Sequence, residues 1–242
     1  IAVIQACRSQ SQAEELLRLD WSSVQTIMER AVERGLARRQ LEGIEAVGLD
    51  EKSFGCGQNY ISLMTDLRGK RVLEVVEGNN TWSGRLLWWA LPVAQRREVQ
   101  TVSMDMSGGF MAATRCEIPH AVIVHDKFHV AKLLNEAVDK VRRKENRQLL
   151  AEGREDLKGT RFLWLFNPKN FDAQQTESFA EIVARNLKTA RAWEIRETFA
   201  GFWNRPSVSS AQRYFDKWYA RAIRSRLDPI KRVARTFKTH LT

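Results

Sequence analysis

Residues 44–77 read IEAVGLDEKSFGCGQNYISLMTDLRGKRVLEVVE, and the pattern inside this stretch decides the fold class. Three short runs, Ile44 to Asp50, Tyr60 to Asp66 and Arg71 to Glu77, are rich in Val, Ile, Leu and Tyr, residues that fit a pleated, half-buried surface. Glycine-containing turns divide them, at Gly55 to Gly57 and at Arg68-Gly69-Lys70. Three strands joined so closely predict an antiparallel meander.

Toward the carboxyl end the period alternates between helix and strand. Trp82 to Leu91 reads as a helix ended by Pro92, Val99 to Met104 as a fourth strand, Gly109 to Arg115 as a second helix and Ala121 to Val124 as a fifth strand. From Lys127 the chain turns helical. Val130, Leu133, Leu134, Ala137, Val138 and Val141 share one face, with Lys132, Glu136, Asp139, Lys140 and Arg142 elsewhere. Arg161 to Pro168 reads as irregular, whereas Ala173 to Arg191, Ala192 to Trp203 and Ser209 to Ile223 read as helices. Three strands, a helix, a strand, a helix and a strand, with parallel crossovers after the meander, is the order that a ribonuclease H-like fold requires. The expected class is α/β, with a mixed five-stranded sheet and helices on both faces.

Toward the amino end, residues 9–39 read as two helices with a break at Asp20 and Trp21. Ser22 or Ser23 is the expected N-cap, Val24, Ile27, Met28, Ala31 and Val32 the expected buried stripe, and Gly35 the expected C-cap. So tight a connection suits a helix-turn-helix, whose second helix enters a major groove, and equally a plain helical hairpin, since the segment is not basic. The expected organisation is a helix-turn-helix-like segment over 1–42, the first part of a ribonuclease H-like core over 43–147, and a helical region with basic carboxyl-terminal helices over 148–242.

The chain has 242 residues, 43% of them hydrophobic, enough for one or two domains with a core. Its net charge of +10 suits a polyanionic partner, nucleic acid first and a membrane surface second. Residues 196–242 hold eleven Lys or Arg against three acids, so most of the excess lies there. The longest apolar run, Leu86 to Pro92, falls far short of the roughly 20 residues of a membrane helix. Cys7, Cys56 and Cys116 lack Cys-x-x-Cys or zinc spacing and read as small buried or half-buried residues, which predicts a reducing, cytoplasmic setting. The tryptophans Trp88, Trp89, Trp193 and Trp203 fall at core spacings. The chain starts with Ile and stops inside a helical pattern, so both ends read as cuts.

Two acids stand where chemistry gathers. Val47-Gly-Leu-Asp50 and Val102-Ser-Met-Asp105 each set an aspartate at the carboxyl end of a largely buried strand, the edge at which open sheets build their sites. If the first and fourth strands are neighbours, the two carboxylates approach and repel. A divalent cation resolves that conflict by accepting oxygens from both. An aspartate just past a strand, taken alone, most often caps a turn or the next helix; two on the right strands weigh against that reading.

The segments Gly48-Leu-Asp-Glu-Lys-Ser-Phe54, Ser103-Met-Asp-Met-Ser107 and Val124-His-Asp-Lys-Phe-His-Val-Ala-Lys-Leu-Leu-Asn135, followed by Leu157-Lys-Gly-Thr-Arg161 and Asn167-Pro168, carry a resemblance. In order and spacing they are similar to the DDE transposases of the insertion-sequence group labelled ISL-three, through nearly the whole chain. The resemblance implies a ribonuclease H-like core interrupted by a helical insertion. It also implies two Mg2+ or Mn2+ ions, and DNA strand cleavage and transfer at the terminal inverted repeats and target DNA by a homo-oligomer. It makes Asp50 and Asp105 the first two catalytic, metal-binding acids. The third, a glutamate beyond the insertion, is expected past Thr242, and the family's amino-terminal zinc segment is absent. Little transposition activity is therefore expected of residues 1–242 alone.

Nothing local marks Glu177 or Glu181 as substitutes. Asp126, with His129 three residues on, reads either as an N-cap or as a support at the site's edge. The basic carboxyl end, with Arg213, Lys217, Arg221, Arg224, Lys231, Arg232, Arg235 and Lys238 interleaved with aromatics, is the expected DNA-binding surface. A non-catalytic DNA-binding remnant and a metal-dependent nuclease of the same fold stay open as alternatives.

Overall fold

The structure, a computed structural model, describes every residue except Gly55, Cys56, Gln58, Asn186 and Thr242, and Leu241 by backbone only. The readings of Cys56 and of the turn through Gly55 and Cys56 therefore lie outside the described residues. The chain divides into two compact units, Ile1–Val102 with Ala112–Val122, and Ser103–Met111 with Ile123–Thr242.

In the first unit α1 (Ala2–Ala6), α2 (Gln10–Leu17) and α3 (Trp21–Ala37) precede the meander of β1 (Ala46–Ser53), β2 (Tyr60–Asp66) and β3 (Arg71–Glu77). Asp20, not Ser22 or Ser23, caps α3: its carboxylate accepts the Ser23 N–H at 3.1 Å, because a charged acceptor outcompetes a hydroxyl for the helix's free donors. Gly35 stays inside α3, and the left-handed residue of this region is Arg18, which ends α2. Of the expected stripe only Val24 is buried, and Met28 and Val32 are exposed. In strand β1, Gly48 is required by close approach, since a Cβ there would lie 2.6 Å from Thr65 Oγ1 of β2. The β2–β3 turn is closed by Asp66, which accepts the Arg68 and Gly69 N–H groups at 3.0 and 2.8 Å and pairs with Arg71 at 3.2 Å. The Gly69 bond first and the Arg71 guanidinium with it hold this carboxyl below the usual range.

After the meander come α4 (Thr81–Trp89) and an unforeseen α5 (Val93–Glu98), then β4 (Thr101–Met104), α6 (Gly108–Glu117) and β5 (Val122–His125). Pro92 stops α4 as expected and also stands at the N-cap of α5, where a fixed φ and a missing N–H do no harm. Trp88 is fully buried and donates to Thr114 at 3.1 Å, but Trp89 is exposed and stacks edge-on with Trp82, which corrects its core reading. Cys7 is half-buried and Cys116 is exposed, so the buried reading fails for Cys116. The sheet order is β3-β2-β1-β4-β5. β1–β2 and β2–β3 are antiparallel. The bonds Val122 N–H to Gln100 O and Asp126 N–H to Met104 O advance together along β4 and β5, as parallel neighbours do, so the sheet is mixed.

The second unit is dominated by α7 (Lys127–Ala151), followed by α8 (Arg161–Leu165), α9 (Ala173–Ala184), α10 (Lys188–Phe199), α11 (Val208–Arg224) and α12 (Asp228–Leu241). The stretch read as irregular contains α8, because Trp164 buries itself fully in the helical core and brings its neighbours with it. Sequence reading breaks α9 from α10 near Arg191; in the structure α9 ends at Ala184 and α10 starts at Lys188. The cause lies on α7, where buried Glu145 accepts the Lys188 and Thr189 N–H groups and starts α10 there. The core is aromatic, with Phe179 between Trp164 and Trp193 at 5.1 and 4.9 Å and Phe199 against Trp218 at 4.7 Å.

Candidate active site

Asp50 marks the point where β1 leaves the core. Val47, Gly48 and Leu49 are buried and Asp50 is exposed. The strand does not end there: Asp50 pairs with Leu63, and the ladder to β2 continues through Ser53 despite the polar run Glu51-Lys52-Ser53, since hairpin pairing overrides weak strand propensity. The Asp50 carboxylate accepts the Glu51 N–H through Oδ1 at 2.8 Å.

Asp105 directly follows β4 and is half-buried. Its Oδ1 accepts the Ser107 N–H at 2.9 Å, and its carbonyl oxygen lies 3.2 Å from His125 Nδ1. In both aspartates Oδ2 has no hydrogen bond or ion pair among the described residues, unlike Glu117, Asp139 and Asp156, each of which meets two or three arginines. Hard oxygen donors left without an organic cation in a strongly basic chain suit Mg2+ or Mn2+. Among the described residues no group of three His, Cys, Asp or Glu side chains gathers closely enough to hold a metal ion.

Asp126 caps α7, accepting the Phe128 N–H through Oδ1 at 2.8 Å, while its Oδ2 lies 3.0 Å from His129 Nδ1. Its own N–H donates to the carbonyl of Met104, which puts the Asp126 backbone beside Asp105. Capping and an edge position thus coexist in one residue. His125, which carries no sequence signal, sits between the Asp105 carbonyl and the His240 ring, whose centroid is 5.8 Å away. The parallel pairing of β4 and β5 brings His125 and Asp126 beside Asp105.

The basic residues separate. Lys217, Arg221 and Arg224 line one groove with Arg191 and Glu194, and Arg221 pairs with Glu194 at 2.6 Å. Arg213 is exposed outside that lining. Lys231, Arg232, Arg235 and Lys238 ride on α12, where Lys231 pairs with Asp228 at 3.3 Å and Lys238 lies over Tyr219 at 4.8 Å. The interleaved aromatics Phe215, Trp218 and Phe237 are buried, so they are core rather than base-stacking groups.

A family model described as a transposase, the DDE type of the ISL-three group, matches residues 47–242. The chain belongs to this transposase family. Among curated relatives, the transposase of insertion sequence element IS1001 from Bordetella parapertussis is 26% identical, over 92% of this chain and 56% of the relative. The transposase of IS1557 from Mycobacterium tuberculosis is 23% identical, over 93% of the chain and 56% of its own length. This transposase chain thus spans about half the length of the curated relatives it matches. No helix among its described residues is long and apolar enough to cross a membrane.

Proposed function

We propose that the chain carries the first two acids of a DDE site for metal-dependent cleavage and transfer of DNA strands, with Asp50 and Asp105 as ligands of Mg2+ or Mn2+. The observation that carries this reading is the strand order: β1 and β4 are sheet neighbours, and each delivers one aspartate where its buried run ends, with no partner on Oδ2 among the described residues. When bound, two such ions activate the attacking oxygen and stabilise the leaving oxygen of a phosphodiester. The chain's own residues hold the ligands still. Glu51 and Ser107 N–H groups each occupy one carboxylate oxygen, and His125 fixes the Asp105 backbone. Asp126 and His129 support the same edge. The relatives' greater length leaves room for a third acid outside the matched portion.

DNA at the element ends and at the target is the proposed substrate, held by a homo-oligomer. The exposed cations of α11 and α12 supply phosphate contacts, which makes binding salt-dependent and tolerant of sequence. The α2–α3 pair, joined by three residues, is read as a helix-turn-helix.

Fe2+ substituted for Mg2+ in the presence of ascorbate and peroxide cuts the polypeptide next to the ion. Fragments ending near residues 50 and 105, suppressed by excess Mg2+, are expected. Cuts elsewhere, or cuts that Mg2+ does not suppress, would contradict the assignment.

A further inference from the structure

We propose that the face formed by α7 and α8 binds an unpaired stretch of DNA, with phosphates held by Lys132, Arg143 and Arg161 and a base laid against Phe128. This deepens, and rests on, the reading of the chain as part of a DNA-processing transposase. A concave surface of about 450 Å³ runs along α7 and is lined by Phe128, Lys132, Asn135, Lys140, Arg143 and Arg161. From Phe128 to Arg143 the helix rises about 22 Å, enough for several nucleotides. A second hollow, lined by Lys127, Phe166 and Trp203, continues it and shares Ala131, Asn135 and Leu165 with the first.

Charge selects an anionic occupant. Buried Asp139 draws in Arg142 at 2.8 Å, Arg143 at 3.0 Å and Arg161 at 3.9 Å, and one carboxylate cannot neutralise three guanidiniums. The other acid of the lining, Glu136, pairs with Lys140 at 3.9 Å. Lys132 has no acidic partner among the described residues. The surface therefore keeps an excess of cations, two of them held in place by Asp139 rather than swinging freely.

Aromatic exposure selects an unpaired base. Phe128 is 72% exposed, more than any other aromatic side chain among the described residues. It stands one turn before Lys132 on the same helix face, and its N–H is bonded to Asp126, which fixes the backbone that carries the ring. Phe162 on α8 and Phe166 just past its end are exposed as well, 5.2 Å apart, with Arg161 over Phe162 at 5.7 Å. Rings interleaved with cations form the stacking platform that single strands use. A duplex, whose bases stack on one another, cannot engage it in the same way.

The test is fluorescence anisotropy of the whole chain with a short labelled single strand and with the matching duplex, at low salt and in a metal chelator. Phe128→Ala is expected to weaken single-strand binding by about 5- to 150-fold, the range of one base–aromatic stack, and duplex binding by less than about twofold. Phe128→Trp is expected to restore it. The double variant Lys132→Ala, Arg161→Ala is expected to lower the salt slope for the single strand by about 1.4, two phosphate contacts at about 0.7 each. Unchanged single-strand affinity in Phe128→Ala overturns the proposal, as does equal loss for the duplex or equally good displacement of the strand by poly-glutamate. With metal chelated, any of these results leaves the roles of Asp50 and Asp105 untouched. A chain with no affinity for either DNA overturns the surface and the DNA reading together.

Discussion

Trp164→Ala is expected to destabilise the helical unit by about 3–5 kcal/mol, the range for removing a fully buried large aromatic. Three interactions converge on this residue. Its ring meets Phe179 at 5.1 Å, its Nε1–H donates to Thr160 Oγ1 at 3.1 Å, and its carbonyl accepts from the buried guanidinium of Arg196 at 2.6 Å. Truncation leaves a cavity and orphans the Thr160 contact. It also loosens α8, which displays Arg161 and Phe162, so single-strand binding should fall with stability. Urea unfolding followed by circular dichroism measures the change. A loss under about 1 kcal/mol would mean that Trp164 is not packed as described.

Glu145→Ala should cost about 2–4 kcal/mol, although it removes no ring and leaves only a small void. Leu187, at the N-cap of α10, has no side chain that can accept a hydrogen bond. The cap comes from α7 instead: Glu145 Oε1 accepts the Lys188 N–H at 2.8 Å, and Oε2 accepts the Thr189 N–H at 2.7 Å and its hydroxyl at 2.6 Å. The carboxylate also faces the positive end of the α10 dipole. Glu145→Gln keeps one acceptor oxygen and should lose roughly half as much. Amide exchange at Lys188 and Thr189 reads the effect locally. Protection there equal to the wild type in Glu145→Ala would show that the cap does not operate.

The same two residues mark what sequence reading reaches. Strands β2 and β3 were legible residue for residue, because alternation and glycine turns are local signals, and so was the N-cap role of Asp126. Asp50 and Asp105 were legible as candidates because buried runs end in acids. The start of α10 was not legible, since its cap lies 43 residues away on another helix. Helix α8 was hidden because only tertiary burial of Trp164 stabilises so short a segment. The role of His125 was hidden because its contact is with a backbone carbonyl 20 residues away, which leaves no mark on the sequence. Aromatic residues in the basic carboxyl end misled for a related reason: periodicity separates their buried face from the cationic face only once the helices are packed. Phe128, by contrast, sits in a recognisable motif, but its exposure is a property of the fold.

Calorimetric titration of Mn2+ into the wild-type chain and into Asp50→Asn and Asp105→Asn bears most directly on the shared-cation site. Saturable binding to the wild type is expected, weakened at least about 10-fold by either substitution, since even outer-shell partners of metal ligands contribute that much. Glu177→Gln should titrate like the wild type. If both asparagine variants bind Mn2+ as the wild type does, Asp50 and Asp105 are not its ligands, and the proposed chemistry falls with them.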